Sequence, residues 1–237
     1  MAQKKAAQPT NAKAAAKTPA KKASAAPKAA TSSAMPKTVP AGTAEKPLKL
    51  SLACGDRVPE GFAGVDIAKT PSVTYVQDLL SFPWTQFADN SVDEIECTCF
   101  VEHIPHSNSS HDDPFFHFFD ELYRILKPAE FAPNNPNIPI RGFANISCPY
   151  YSSSRAWWDP THHRAISEQS FLYLNKQWRI DNKLDHYPIS CDFDFSYGYV
   201  MSPEWQTRSQ EAQAFAVRNY INAVSDIQVM LVKRPQE

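Results

Sequence analysis

The sequence has no long hydrophobic run and little glycine. No segment approaches the roughly 18 apolar residues of a membrane-spanning helix, and no apolar stretch of a secretory signal is visible. Only six glycines occur in 237 residues. None of them forms the Gly-x-Gly-x-x-Gly pattern that cradles the pyrophosphate of a dinucleotide. These absences argue against a membrane protein and against an NAD-binding oxidoreductase, and we expect a cytoplasmic location.

The first 46 residues lack aromatic side chains and almost lack acids. They hold nine lysines, Glu45 as the one acid, and repeated Ala and Pro. Such a segment cannot bury enough apolar surface to offset the entropy lost on ordering, so we predict a disordered basic tail over residues 1–46. Its lysines suit non-specific contact with nucleic acid by counterion release. A solubilising arm or a linker is the alternative interpretation.

The remaining residues, 47–237, differ in charge and suit one domain. They carry 15 basic and 24 acidic side chains, so a basic tail precedes an acidic body. A chain of this length buries about 70% of its unfolded surface. The whole sequence has five cysteines, an odd number, which we interpret as reduced thiols in a cytosolic type of compartment.

The beginning of the body has the pattern of a nucleotide-binding α/β sheet. Leucines alternate with other residues over 48–52, which predicts a strand, and Gly55 permits a sharp turn directly after it. The run 64–67 predicts a second strand with Asp66 near its end. Ligands of such sheets lie at the carboxyl ends of the strands, where an acid can bind the two hydroxyls of a ribose.

The rest of the body predicts alternating strands and helices. Asp113 and Pro114 begin an amphipathic helix that Pro128 ends, and residues 129–141 are predicted to be a loop rich in Pro and Asn. Further strands are predicted over 73–76, 92–99, 142–148, 191–200 and 227–233, with a helix-prone stretch over 203–223. The first two connectors are too short for ordinary crossover helices, so we expect those helices to be vestigial.

In this order, six segments resemble the motifs of a class I S-adenosylmethionine-dependent methyltransferase, of the compact type-11-like kind known from bacteria and phages. The segments are Leu50-Ser51-Leu52-Ala53-Cys54-Gly55, Gly64-Val65-Asp66-Ile67, Asp78-Leu79, the run 89–95, Val101-Glu102-His103-Ile104 and the run 121–128. The resemblance implies a Rossmann-like, mostly parallel sheet of seven strands, the last inserted antiparallel. It also implies S-adenosylmethionine as cofactor.

The resemblance further implies which residues hold that cofactor. The turn of Ala53, Cys54 and Gly55 would hold the methionine end, and Asp66 with Ile67 would lie at the ribose. Asp78 and Leu79 would lie at the adenine. Cys97, Thr98 and Cys99 would line the pocket. The turn departs from the family pattern, because it has Ala53 where glycine is usual and Asp56-Arg57 where a second glycine often follows.

The segment from Asp159 to Arg164 is the candidate catalytic region. It resembles an Asp-Pro-Thr-His segment of the compact relatives, and a histidine there titrates near neutrality and could accept a proton. We therefore predict catalytic roles for His162, Asp159 and His103. The alternatives are that His162 is a strut of a shaped loop and that His103 is structural or a partner of the cofactor. Residues predicted to contact substrate are Tyr150, Arg155, Thr161 and Arg164.

No metal site is predicted, and the methyl acceptor is open. A set made of His103, His106 and His111 with Cys97 and Cys99 matches no standard zinc spacing. The sequence lacks the Asn/Asp-Pro-Pro-Tyr signature of amino-directed DNA methyltransferases, so a small molecule, a glycan and a protein remain candidates. The alternative function is a catalytically inactive methyltransferase-like binding module that the basic tail tethers to nucleic acid.

Overall fold

The computed structural model describes residues 38–109 and 112–235. The strands are β1 (Lys49–Leu52), β2 (Ala63–Asp66), β3 (Val73–Val76), β4 (Glu94–Thr98), β5 (Glu130–Ala132), β6 (Asn135–Arg141), β7 (Phe143–Pro149), β8 (Phe193–Met201) and β9 (Val224–Lys233). The helices are α1 (Pro114–Ile125), α2 (Arg155–Trp158), α3 (Glu168–Leu172), α4 (Lys176–Asp181), α5 (Pro203–Gln206) and α6 (Gln210–Asn219). A 3₁₀ turn covers Val101–His103.

Seven strands form the main sheet in the order β3-β2-β1-β4-β7-β9-β8. Strands β1, β2, β3, β4 and β7 pair in parallel, and β9 runs antiparallel to both of its neighbours. This is the Rossmann-like, mostly parallel sheet with one inserted antiparallel strand that the resemblance implies. The predicted fold class is confirmed.

The first two crossovers are as short as the sequence predicts. The connectors 53–62 and 67–72, described in full, contain no helix. Polar side chains on one face of the sheet are consequently exposed, among them Thr98, Asn145 and Gln228. The opposite face is buried under α1, whose apolar side packs Phe118 and Phe119 into the core without solvent exposure.

Helix α1 begins where the sequence predicts. The Asp113 carboxylate accepts a hydrogen bond from the Phe115 N–H at 2.8 Å, and Pro114 occupies the first turn, where a missing N–H has no cost. The helix ends at Ile125, because the following residue, Leu126, is extended and forms a bridge with Val92. The cap at Asp113 matters for the site, since the same carboxylate also binds a residue of the candidate catalytic loop.

The predicted loop over residues 129–141 is wrong. Strands β5 and β6 pair antiparallel there as a separate two-stranded sheet. Proline is tolerated at sheet edges, where its missing N–H breaks no ladder, so Pro136 and Pro139 do not prevent the pairing. Gly142 then turns the chain into β7 with a φ of +74°.

The body of the protein begins before residue 47. Val39 is 5% exposed, and its N–H donates to the Gln86 carbonyl at 2.8 Å. The Gly42 carbonyl accepts a hydrogen bond from Lys127 Nζ at 2.7 Å. Val39 and Gly42, predicted as part of the tail, therefore contact the domain, whereas residues 43–46 are exposed. The rest of the predicted tail and its proposed nucleic-acid contact, residues 1–37, lie outside the described residues.

The helices of the described residues are all too short or too polar to cross a membrane.

Candidate functional site

A cleft of about 500 Å³ lies at the carboxyl ends of β1 and β4. It is lined by residues that include Leu52, Ala53, Cys54, Arg57, Thr98 and Cys99. The chain leaves β1 toward β2 and β3 on one side and returns to β4 on the other, so the strand order reverses between β1 and β4. Such a switch point is where open α/β sheets bind ligands, and the volume is that of a small-molecule site.

The backbone is bent sharply on both sides of the cleft. Ala53 and Gly55 after β1 have φ values of +49° and +53°, and Cys99 after β4 has +54°. A left-handed conformation is unfavourable for residues with a Cβ, and such conformations concentrate at binding sites. A Cβ built on Gly55 would meet no described atom within 4 Å, so glycine serves the backbone angle there rather than close packing.

Asp66 fixes the turn after β1. Its carboxylate accepts hydrogen bonds from the Gly55 N–H at 2.9 Å and from the Ala68 N–H at 3.0 Å. Each carboxylate oxygen has two lone pairs, so both can accept a further hydrogen bond from a ligand hydroxyl. The next residue, Ile67, is 67% exposed beside it. The end of β2 thus offers a held acceptor and an apolar surface to a ligand.

Two predicted pocket residues point into the core instead. Leu79 is 4% exposed, and its carbonyl accepts a hydrogen bond from the Trp84 indole at 3.3 Å. Cys97 is 1% exposed and, like Ile95, lies on the buried face of β4. Asp78 shapes its own turn, since its carboxylate accepts from the Leu80 N–H at 2.9 Å and from the Ser81 hydroxyl at 3.0 Å.

The loop after β7 is joined to the 3₁₀ turn after β4 by backbone hydrogen bonds. The Glu102 carbonyl accepts from the His163 N–H at 2.8 Å and from the Arg164 N–H at 3.1 Å. These bonds place His162 beside His103, with ring centroids 4.5 Å apart. Two of the three predicted catalytic residues are therefore in contact.

Hydrogen bonds orient both imidazole rings. His162 Nδ1 lies 3.0 Å from the Ala156 carbonyl, and His103 Nδ1 lies 3.0 Å from the Thr161 hydroxyl. That hydroxyl donates in turn to the Asp159 carboxylate at 2.7 Å. The bonds from Thr161 lower the pKa of Asp159. Burial, and then the neighbouring His162, lower the pKa of His103, which keeps its ring neutral near pH 7.

Glu102 lies with His103 and His162, although no role was predicted for it. It is 1% exposed, and neither carboxylate oxygen has a nitrogen or oxygen donor at hydrogen-bond geometry among the described residues. Burial raises the pKa of its carboxyl, and nearby groups, among them His162 and the Cys99 thiol, offset part of that shift. The position of Glu102 beside His103 at a strand end was visible in the sequence. Its burial depends on the later loop and was not.

Two predicted substrate residues form hydrogen bonds within the protein. Arg164 donates to the Ile104 carbonyl at 2.8 Å, to the Pro105 carbonyl at 2.7 Å and to the Asp113 carboxylate at 2.6 Å. Tyr150 is 2% exposed and donates to the Glu168 carboxylate at 3.0 Å. Both side chains are thus engaged within the protein, and their substrate roles stay predictions.

Arg155 is more exposed and forms an ion pair with Asp226. Thr161 orients His103 through the hydrogen bond described above. Two exposed aromatic residues for which no role was predicted follow Ala156: Trp157 is 69% exposed and Trp158 is 74% exposed.

The solved structures that resemble this chain do so at low sequence identity. No protein-family model and no curated protein matches the chain. An S-adenosylmethionine-dependent methyltransferase from Archaeoglobus fulgidus is 15% identical, with 79% of this chain and 86% of that chain covered and a TM-score of 0.49. One from Mesorhizobium loti is 11% identical, with 78% and 90% covered and a TM-score of 0.42.

The chain spans half of a longer neighbour, phosphoethanolamine N-methyltransferase 2 from Haemonchus contortus. That structure is 16% identical, with 83% of this chain and 50% of that chain covered and a TM-score of 0.36. With TM-scores below 0.5, these likenesses carry no conclusion about this chain. The strand order, with β9 antiparallel between β7 and β8, assigns this chain the fold of class I methyltransferases.

Proposed function

We propose that this protein transfers a methyl group from S-adenosylmethionine to an acceptor that binds at the carboxyl edge of the sheet. The observation that carries the proposal is the cleft between β1 and β4, which lies at the switch point of a class I methyltransferase sheet. The cluster of Glu102, His103 and His162 lies beyond the end of the same strand, β4.

The residues at the cleft suit this cofactor in part. The Asp66 carboxylate has capacity for ribose hydroxyls, and the turn at Ala53 and Gly55 leaves backbone open to a ligand. Thr98 and Cys99 line the same cleft. The side chains of Leu79 and Cys97 are in the core, so their predicted contact with the cofactor is the least supported of the set. When bound, S-adenosylmethionine supplies a methyl group on a sulfonium, which is already reactive toward a nucleophile.

The chain's own contribution is then to position the acceptor and to handle its proton. His103 and His162 each direct Nδ1 toward a hydrogen-bond acceptor, which leaves the Nε2 lone pair for chemistry at the edge of the sheet. Asp159 acts through Thr161 by fixing the His103 ring, so we assign it a positioning role. We expect His162→Ala to reduce turnover and to leave cofactor binding unchanged, once an acceptor is known.

Calorimetric titration of the full chain with S-adenosylmethionine and S-adenosylhomocysteine tests the proposal. We expect Asp66→Ala to weaken binding about ten-fold or more, equivalent to about 1.4 kcal/mol. Glu60→Ala is the matched control, because Glu60 is an exposed acid in the connector between β1 and β2. Absence of binding to the wild-type chain, or equal binding by the Asp66→Ala variant, would contradict the proposal.

A further inference from the structure

Glu102, His103 and His162 form a cluster whose chemistry goes beyond proton transfer. One potential ligand atom of each residue lies within 4.8 Å of those of the other two. Two imidazoles and one carboxylate are a ligand set that proteins use for Zn²⁺ and other first-row transition ions. Mg²⁺ and Ca²⁺ prefer sites made of oxygen ligands alone.

The burial of Glu102 is an independent indication of a missing positive partner. The residue is 1% exposed, and within the described ranges its carboxylate oxygens have no nitrogen or oxygen donor at hydrogen-bond geometry; the weak donor of the Cys99 thiol and the His162 ring are its polar neighbours. A buried carboxylate without hydrogen bonds or a counter-charge is costly, so buried charges are normally paired or coordinate a metal. The positive groups of the neighbouring loop are engaged elsewhere: Arg164 with Asp113, and Arg155 with Asp226.

The hydrogen bonds of the two histidines are those expected around a metal ion. A carbonyl can only accept, so His162 donates Nδ1–H to Ala156. Thr161 gives its hydroxyl proton to Asp159, so it accepts Nδ1–H from His103. Each ring is thereby fixed as the tautomer with an Nε2 lone pair. Metal-ligating histidines typically hold the other ring N–H in such outer hydrogen bonds.

We propose that Glu102, His103 and His162 bind one divalent first-row transition ion, with Zn²⁺, Mn²⁺ and Co²⁺ as the candidate class. This replaces the expectation that the protein has no metal. Three protein ligands leave coordination positions open. If the chain is a methyltransferase as proposed above, an open position would bind an oxygen or nitrogen of the acceptor and lower its pKa. The ion site itself does not depend on that activity.

Titration of the full chain with Co²⁺, followed by visible absorption in the absence of S-adenosylmethionine, tests the site directly. We expect one Co²⁺ per chain and displacement by Zn²⁺. Glu102→Gln and His162→Ala should each weaken binding at least about ten-fold, because loss of an outer hydrogen-bond partner of a ligand alone costs about ten-fold or more. His163→Ala is the control, since His163 is an exposed histidine of the same loop that contacts Glu102 through its backbone N–H.

Thermal unfolding separates loss of the site from loss of the fold. Glu102→Gln removes an unpaired buried charge, so the metal-free variant should be at least as stable as the wild type. Co²⁺ at about one hundred times its wild-type Kd should raise the Tm of the wild type by about 5 °C or more, and that of Glu102→Gln by about half as much or less if the variant binds at least about ten-fold more weakly.

Three results would overturn the site: no Co²⁺ binding, equal binding by Glu102→Gln, or equal weakening by His163→Ala. Displacement of Co²⁺ by a large excess of Mg²⁺ would overturn the assignment to a transition ion. Because the titration contains no cofactor, its failure leaves the methyl-transfer proposal standing. Failure of the S-adenosylmethionine titration would likewise leave the ion site standing.

Discussion

Substitution of Arg164 tests most sharply how the loop from Asp159 to Arg164 is held against the domain. Its guanidinium pairs with the Asp113 carboxylate, and the two side chains are 12% and 15% exposed. It also donates to the carbonyls of Ile104 and Pro105 and lies over the Phe115 ring, 5.1 Å from its centroid. Arg164→Met removes these donors and leaves the Asp113 charge without its partner.

The expected loss follows from burial. Breaking a buried ion pair by removing one partner costs about 3 to 5 kcal/mol. Asp113 keeps its hydrogen bond from the Phe115 N–H, so we expect the lower part of that range, about 3 kcal/mol. For a domain of this size, that corresponds to a fall in Tm of roughly 6 to 12 °C.

Arg141→Met is the matched control. Arg141 also forms an ion pair, with Glu130, but the two side chains are 30% and 55% exposed. Exposed pairs contribute about 0 to 1 kcal/mol, so this variant should remain close to wild type. Urea unfolding followed by tryptophan fluorescence gives both free energies, provided that the m-values agree.

A double variant isolates the charge. Asp113→Asn keeps a good helix cap and removes the carboxylate, so Arg164→Met combined with Asp113→Asn should be more stable than the sum of the single losses predicts. Equal stability of Arg164→Met and Arg141→Met would refute this reasoning. It would favour the predicted substrate role of Arg164.

Three further predictions concern other parts of the chain. Deleting residues 1–37 should leave Tm unchanged, whereas deleting residues 1–46 should lower the free energy of unfolding by about 2 kcal/mol through loss of buried Val39. Both deletions should abolish any salt-sensitive retention on DNA. Retention by either deletion variant would refute the tethering role. Alkylation of the native protein should modify Cys99 first, because the other four cysteines are buried. S-adenosylhomocysteine should slow the alkylation of Cys99, which lines the cleft. Mass spectrometry that shows another thiol reacting equally fast would contradict the described cleft. Gly142→Ala should destabilise by about 2 kcal/mol or more, because its Cβ would lie 2.6 Å from the Lys127 carbonyl oxygen at a φ of +74°; equal denaturation midpoints for the variant and wild type would contradict this.

The sheet could be predicted from the sequence because its strands are marked locally. Short apolar runs end in acids or glycine, as at Asp66 and Gly55, and the order of six family-like segments implied the strand order. The cap at Asp113 was visible for the same reason, since N-cap signals depend on adjacent residues. Local signals also sufficed for the missing crossover helices, because connector length limits what a connector can form.

The roles of several side chains could not be predicted, because they depend on contacts between distant segments. Arg164 resembles a substrate residue until the position of Asp113 is known. Cys97 and Cys99 would share a face if β4 continued, but the strand ends at Thr98 and the +54° φ of Cys99 turns the chain toward the cleft. The burial of Glu102 likewise depends on a loop that follows β7.

The central claim is that the cleft between β1 and β4 binds S-adenosylmethionine. A crystal structure of the full chain grown with S-adenosylhomocysteine tests this most directly. We predict the ligand between the turn at Ala53 to Gly55 and the Thr98–Cys99 segment, with its ribose hydroxyls on the Asp66 carboxylate. A ligand bound elsewhere, or an empty cleft at saturating S-adenosylhomocysteine, would contradict the claim.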